Sequence, residues 1–174
     1  ANIVLPETTV KIKAPKIRIL KGKGVPTIAT IGVTPQDELG EEIGDFINLK
    51  KDTHLTEFEI NILKNTCEKA ILRVIICQTD KEHHFTSLIE KPIYIEIPAS
   101  KKKQIITEKL SIFIPKGIIW VGIQAVEIKG NRKAQVLLRT KATGGWFRYK
   151  EELEKMLLGI GIPFSIKGYE YEVV

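Results

Sequence analysis

This sequence lacks most of the devices that would announce a chemistry. Its 174 residues hold two cysteines, one methionine and three histidines. Two cysteines, Cys67 and Cys77, are not a disulfide framework, and they lack the CxxC spacing of zinc or redox sites. Two free thiols are expected, with a single bridge as the alternative, so the cysteines do not identify a redox compartment. No apolar run approaches the ~18–20 residues of a membrane span, so no membrane-spanning segment is expected. There is no Gly-x-Ser-x-Gly nucleophile elbow and no HExxH. Gly22-Lys23-Gly24 and Gly159-Ile160-Gly161 lack the rest of a phosphate fingerprint, and turns or caps account for them. Internal repeats and low-complexity tracts are also missing.

What remains is ordinary globular composition, 43% apolar and 28% charged, at the length of one domain. A chain of this size needs no metal or disulfide staple to fold. The formal net charge of +6 is uneven. Residues 1–24 carry Lys11, Lys13, Lys16, Arg18, Lys21 and Lys23 against Glu7 alone. Such a tail can meet anionic surfaces, or it can act as a solvated linker. It contains no aromatic side chain, which argues against nucleic-acid binding. Pro6, Pro15 and Pro26 punctuate this stretch, which therefore reads as an extended arm or edge strand over 1–26, ahead of a domain over 27–174. The chain starts Ala-Asn-Ile with no signal-peptide pattern, and the expectation is a mature chain after signal removal or a fragment.

Beyond residue 27 the apolar period is two. Phe58, Ile60 and Ile62 share one face, and Glu57, Glu59 and Asn61 the other, as in a half-buried strand. Residues 70–76 are nearly continuous apolar sequence, the pattern of a central strand. Further strands are predicted at Ile93–Ile97, Ile118–Ile128, Gln135–Thr140, Trp146–Lys150 and Ile160–Ile166, with Pro163 marking an edge or bulge. Tyr169, Tyr171 and Val173 close the chain. Turn signals separate these strands, among them Asn65–Lys69, Lys50–Asp52, Pro115–Gly117 and Gly144-Gly145. The pattern predicts an all-β, jelly-roll-like antiparallel β-sandwich. One short helix is predicted over 151–158, where apolar residues fall at i, i+3 and i+4 ahead of Gly159.

His83-His84, with Asp80 and Glu82, is the one histidine cluster. Adjacent side chains on a strand point to opposite faces, so a polar loop explains it better than a metal site. No metal and no cofactor is expected. Acidic residues are plentiful, but on strands they alternate with core positions as on a solvated sheet face. The segment Gly144-Gly145-Trp146-Phe147-Arg148-Tyr149 stands out. Aromatic rings beside a turn can offer a flat surface to the C–H faces of sugars, with arginine bonding hydroxyls. Alternation puts Trp146 and Arg148 on one face, Phe147 and Tyr149 on the other. The competing reading is that Trp146 closes the end of the core. Trp120, inside an apolar run, reads as core.

Several blocks carry a resemblance. They are Leu5–Val10 with the basic stretch through Leu20–Lys23, Leu39–Gly44 through Ile47–Lys51, Leu55–Thr66, Leu72–Ile76, Phe113-Ile114 with Val121–Val126, Leu138–Thr140 and Gly145-Trp146. Taken in order they resemble exported Bacteroidetes proteins in which a carboxypeptidase-regulatory-like domain precedes a β-sandwich region of unassigned function. The resemblance implies an exported protein, periplasmic or outer-membrane-associated, lying downstream of a regulatory domain. It carries over no catalytic residue. The chain departs from that family by lacking a tryptophan late in 122–126 and by inserting 151–158. The expectation is a non-catalytic cell-envelope module, with a glycan or another envelope protein as partner. Carbohydrate is the first ligand class indicated, at Trp146, Tyr149, Arg139 and Arg148, on an analogy of fold. The alternatives are a structural or protein-interaction domain and a glycan-acting hydrolase. The hydrolase reading would require paired acids of perturbed pKa in a cleft.

Overall fold

The structure, a computed structural model, describes residues 15–171. The expectations placed on Pro6, Lys11, Lys13 and Val173 lie outside the described residues. Thirteen strands follow one another: β1 Arg18–Lys21, β2 Pro26–Val33, β3 Glu42–Leu49, β4 Thr53–Asn65, β5 Lys69–Thr79, β6 Phe85–Ser87, β7 Ile93–Glu96, β8 Gln104–Ile114, β9 Gly117–Lys129, β10 Val136–Lys141, β11 Trp146–Tyr149, β12 Glu152–Lys155 and β13 Phe164–Glu170.

They form two antiparallel sheets. One has six strands in the order β1-β13-β4-β10-β2, with β8 on the other side of β4. The second has seven, in the order β12-β11-β3-β9-β5-β6, with β7 also on β5. Within them β2-β10-β4-β8 faces β3-β9-β5-β6/β7, the two-Greek-key order of a jelly roll. From β2 to β5 and from β8 to β10 consecutive strands therefore alternate between the sheets, and each long strand has a buried face. On β4 that face carries Leu55, Phe58, Ile60 and Ile62; on β5 it carries Ala70, Leu72, Val74 and Ile76. Phe58 and Phe164 meet in the middle with ring centroids 4.9 Å apart. Fully burying one such side chain stabilises the fold by roughly 1.5–3 kcal/mol, and β-branched residues fit the pleated surface.

Three additions decorate the jelly roll. β1 pairs with β13, so the chain joins the six-stranded sheet from Arg18 onward. Lys21 of β1 also reaches Asp45 of the opposite sheet at 3.1 Å. β13 lines up against β4. The β11–β12 hairpin extends the seven-stranded sheet beyond β3.

That hairpin corrects the helix predicted over 151–158. No helix occurs among the described residues. Lys150 and Glu151 take positive φ angles of 46° and 70°, the turn that matches strand twist in a two-residue hairpin. Residues 152–155 then pair with β11, Leu153 opposite Arg148. The helical spacing was misleading because its apolar residues do not share a face. Met156 is buried in the core, while Leu157 and Leu158 are 75% and 98% exposed. Pairing with the otherwise open edge of β11 outweighed a weak local helix preference. The turn at residues 65–69 is held by Asn65. Its side-chain nitrogen donates to the Ile97 carbonyl and its oxygen accepts from the Cys67 amide, each at 2.9 Å. Both cysteines are free and buried.

Candidate functional site

The outward face of the seven-stranded sheet is not the polar face that alternation usually leaves toward water. Strand register builds it in rows. Across the first row lie Arg148, Glu42, Gln124 and Arg73. The second holds Trp146, Gly44, Gly122 and Ile75. The third holds Phe46, Trp120, Cys77 and Ser87. Two glycines in the second row leave a bare stretch of backbone, and the Trp120 indole lies along it. A Cβ on Gly44 would come within 2.6 Å of Trp120 Cζ2, and one on Gly122 within 3.1 Å of Trp120 Nε1. The indole thereby reaches from the third row to the first, where Nε1 donates to Glu42 Oε1 at 2.9 Å. Trp120 is wholly buried, as its apolar run predicts. It lies outside the inter-sheet core, however, in a second small core on the outer face.

Aromatic and guanidinium groups cover it. Phe46 and Phe85 meet the indole edge-on, with centroids 5.2 and 5.8 Å away. Arg148 lays its guanidinium over the Phe85 ring at 3.9 Å and donates to Glu42 Oε2 at 2.5 Å. Trp146 packs against Phe46 at 6.2 Å. Phe46, Phe85 and Trp146 are each half-buried, so each ring keeps part of its surface toward solvent. Exposed His83 adds a ring 6.1 Å from Phe46. It is presented by a tight loop in which Asp80 accepts from the amides of Glu82 and His84 and from the His84 ring. These hydrogen bonds, the His84 amide foremost, hold the Asp80 carboxyl below the usual range. Among the described residues no group of side chains could hold a metal ion.

Beside this patch a cleft of about 290 Å³ opens where β6 and β7 leave a gap along β5. Glu42, Arg73, Arg148, Cys77, Phe85 and Ser87 are among its walls. Both oxygens of Glu42 are occupied, by Trp120 and by Arg148. Burial pushes the Cys77 thiol up to about 11, helped by Glu42 and opposed by Arg148 and Arg73.

The four residues singled out from sequence do not converge. Trp146 and Arg148 share the patch just described. Tyr149, on the opposite side of β11, lines a separate cavity of about 430 Å³ between the sheets. Its hydroxyl bonds to Glu38, which raises its pKa. Arg139 is on β10 of the other sheet, paired with Thr30, on the side away from core residue Leu138. The cavity around Tyr149 is floored by Ile43, Leu72, Ile123 and Leu138, and Asp37, Glu38 and Glu41 stand at its rim. Partial burial, with Glu154 and Asp37 nearby, raises the Glu41 carboxyl above the ordinary range.

Sequence reading missed Glu42, Phe46, Arg73 and Phe85. Phe46 alternates with Glu42 and Gly44, a signal that marks a shared face. Nothing local places that face against Phe85, 39 positions later. A further aromatic cluster, His54, Phe113, Tyr169 and Tyr171, occupies the six-stranded sheet. There the polar atoms satisfy one another, His54 bonding Tyr171 and Ser111 at 3.1 Å each.

No protein-family model matches the chain, and no curated protein matches it. Among solved structures the chain is similar to one in "Structure of infectious bursal disease virus Gx strain". The TM-score is 0.38 and the identity 11%, covering all of this chain and 41% of that one. The chain thus spans less than half of that viral chain's length.

Proposed function

We propose that this domain is a non-catalytic binding module of the cell envelope, that its recognition surface is the outer face of the seven-stranded sheet, and that its ligand is carbohydrate. One observation carries the reading: Phe46, Phe85 and Trp146 stand half-exposed together on a sheet face, around the Arg148–Glu42 pair. Rings with one wet surface suit the C–H faces of sugars, and the fixed guanidinium supplies donors for hydroxyls. The rings rest on buried Trp120, so little order has to be imposed when a ligand arrives. The non-catalytic part rests on Glu42 and Cys77. Among the described residues the one carboxylate of the cleft has both oxygens engaged, and the thiol beside it is held protonated. The envelope location rests on the family resemblance of the sequence.

The test is a glycan-array screen of the wild type beside Trp146→Ala, with Tyr171→Ala as a control on the other sheet. Binding that Trp146→Ala weakens about tenfold or more, a hot-spot-sized loss, supports the reading, provided thermal unfolding is unchanged and Tyr171→Ala binds normally. Binding unaffected by Trp146→Ala removes the site. Absence of binding to every glycan removes the ligand class and favours a protein-interaction or structural role.

A second reading, a glycan-acting hydrolase, has one observation in its favour: Glu41 with a raised pKa among Asp37, Glu38 and Glu154. Pairs of acids with separated pKa values are the signature of acid–base work. Hydrolysis of any glycan on the array, abolished by Glu41→Gln, would establish it.

A further inference from the structure

The charges around the cleft do not balance. Arg148 is neutralised by Glu42, whose other oxygen is taken by the Trp120 indole. Arg73 faces the same cleft from β5. Among the described residues its hydrogen bond goes to the side-chain oxygen of Gln124, which is neutral, and no carboxylate pairs with it. Gln124 is itself held by its amide nitrogen, which donates to the Gly40 carbonyl at 2.9 Å, so its oxygen stays turned toward Arg73. The Nε atoms of Arg73 and Arg148 are both buried and have no hydrogen-bond partner. Buried donors on charged groups are costly to leave unpaired. Both arginines line the cleft, and among the described residues the charge of Arg73 is left uncompensated there.

We infer that the cleft is a carboxylate subsite and that the ligand of this face is an acidic saccharide, its uronate group seated on Arg73 while its ring lies toward the Phe85 and Trp146 surface. The inference rests on the carbohydrate reading above and adds the charge of the sugar to it. A carboxylate fits this cleft better than a neutral hydroxyl. The planar guanidinium fork matches two carboxylate oxygens, and one negative charge cancels the one that Arg73 leaves over. The cleft's volume of about 290 Å³ lies at the small end of ligand pockets, so it suits a single sugar-sized group. Cys77 in the wall remains a neutral thiol and does not oppose an anion.

The experiment measures affinity by calorimetry for oligogalacturonate, oligoglucuronate and oligomannuronate, each beside its neutral hexose counterpart. Wild type, Arg73→Gln, Arg73→Lys and Trp146→Ala are compared, with thermal unfolding recorded for each. In at least one pair the acidic member is expected to bind about tenfold or more tightly, the size of one well-made charged contact. Arg73→Gln should erase that preference while leaving neutral-sugar affinity within about twofold. Arg73→Lys, which keeps the charge and loses the fork, should retain part of it and serves as the test if Arg73→Gln unfolds. Equal affinity for acidic and neutral members, or a preference that survives Arg73→Gln, overturns the acidic-sugar inference and leaves the carbohydrate reading standing. No binding by either member of any pair overturns both.

Discussion

Gly44→Ala should be among the most damaging single substitutions in the protein, although it adds one methyl group. The new Cβ would sit 2.4 Å from the Val121 carbonyl oxygen, 2.6 Å from Trp120 Cζ2 and 2.9 Å from Gly122 Cα. Two of those atoms are backbone of β9, which cannot retreat without breaking the β3–β9 ladder. The third is the indole, which can move only by leaving Glu42. Overpacking costs about 1–3 kcal/mol. Losing a hydrogen bond to a buried carboxylate costs about 1.5–3 kcal/mol more. The expected total is about 2.5–6 kcal/mol, against a whole-domain stability of about 5–15 kcal/mol. Gly32→Ala is the matched control, because its Cβ would meet its neighbours at 3.5 Å, ordinary van der Waals contact. It should be neutral or stabilising by up to about 1 kcal/mol. Urea unfolding followed by tryptophan fluorescence reads both. With a slope of about 2 kcal/mol/M, the Gly44→Ala midpoint should drop by about 1–3 M, and the folded-state emission should shift as Trp120 leaves its seat. A Gly44→Ala protein within about 0.5 kcal/mol of wild type would refute the claim that the glycine row exists to seat the indole.

Two further outcomes are expected. Cys77, with its thiol at about 11, should hold about one part in a thousand as thiolate at pH 8, so a disulfide reagent should modify it on the order of a hundredfold more slowly in the folded protein than in the unfolded chain. Immediate labelling of Cys77 in the folded protein would contradict its placement. Glu41 has a folded pKa above its unfolded value, so its stabilising contribution is full below the unfolded pKa and is lost as pH rises through the folded one. Glu41→Gln should therefore raise the thermal midpoint at pH 7, where the charged carboxylate is disfavoured by burial and repelled by Glu154 and Asp37. It should have no such effect near pH 3, and a midpoint that falls at pH 7 would reverse the argument.

Much of the fold was legible because a β-sandwich writes itself as alternation. Phe58, Ile60 and Ile62 announce their common face, and Asn65–Lys69 and Pro115–Gly117 announce the ends of strands. Both signals are local, since they depend on the two-residue period and on turn chemistry. Three strands of eight or more residues, β2, β3 and β8, are not announced as strands by the pattern. Residues 151–158 mislead because Leu153, Met156 and Leu157 fall at helical spacing, although only Leu153 lies in the four-residue strand β12. What decided them was whether β11 had a free edge to fill, which is a tertiary fact.

For the site the division is sharper. Sequence alone determined that Trp146 and Arg148 share a face, since side chains two apart on a strand always do. It also pointed to a buried Trp120, which sits within the apolar run Ile118–Ile123. The tertiary structure alone decided which residues meet them. Arg148 reaches Glu42 across 106 positions, and Arg73 reaches Gln124 across 51. Tyr149 and Arg139, close to Trp146 in sequence, are sent to other surfaces by strand alternation and by the crossing between sheets. Strand order and register set those distances, and both arise from burying two sheets against each other, a property of the whole chain that no short segment contains.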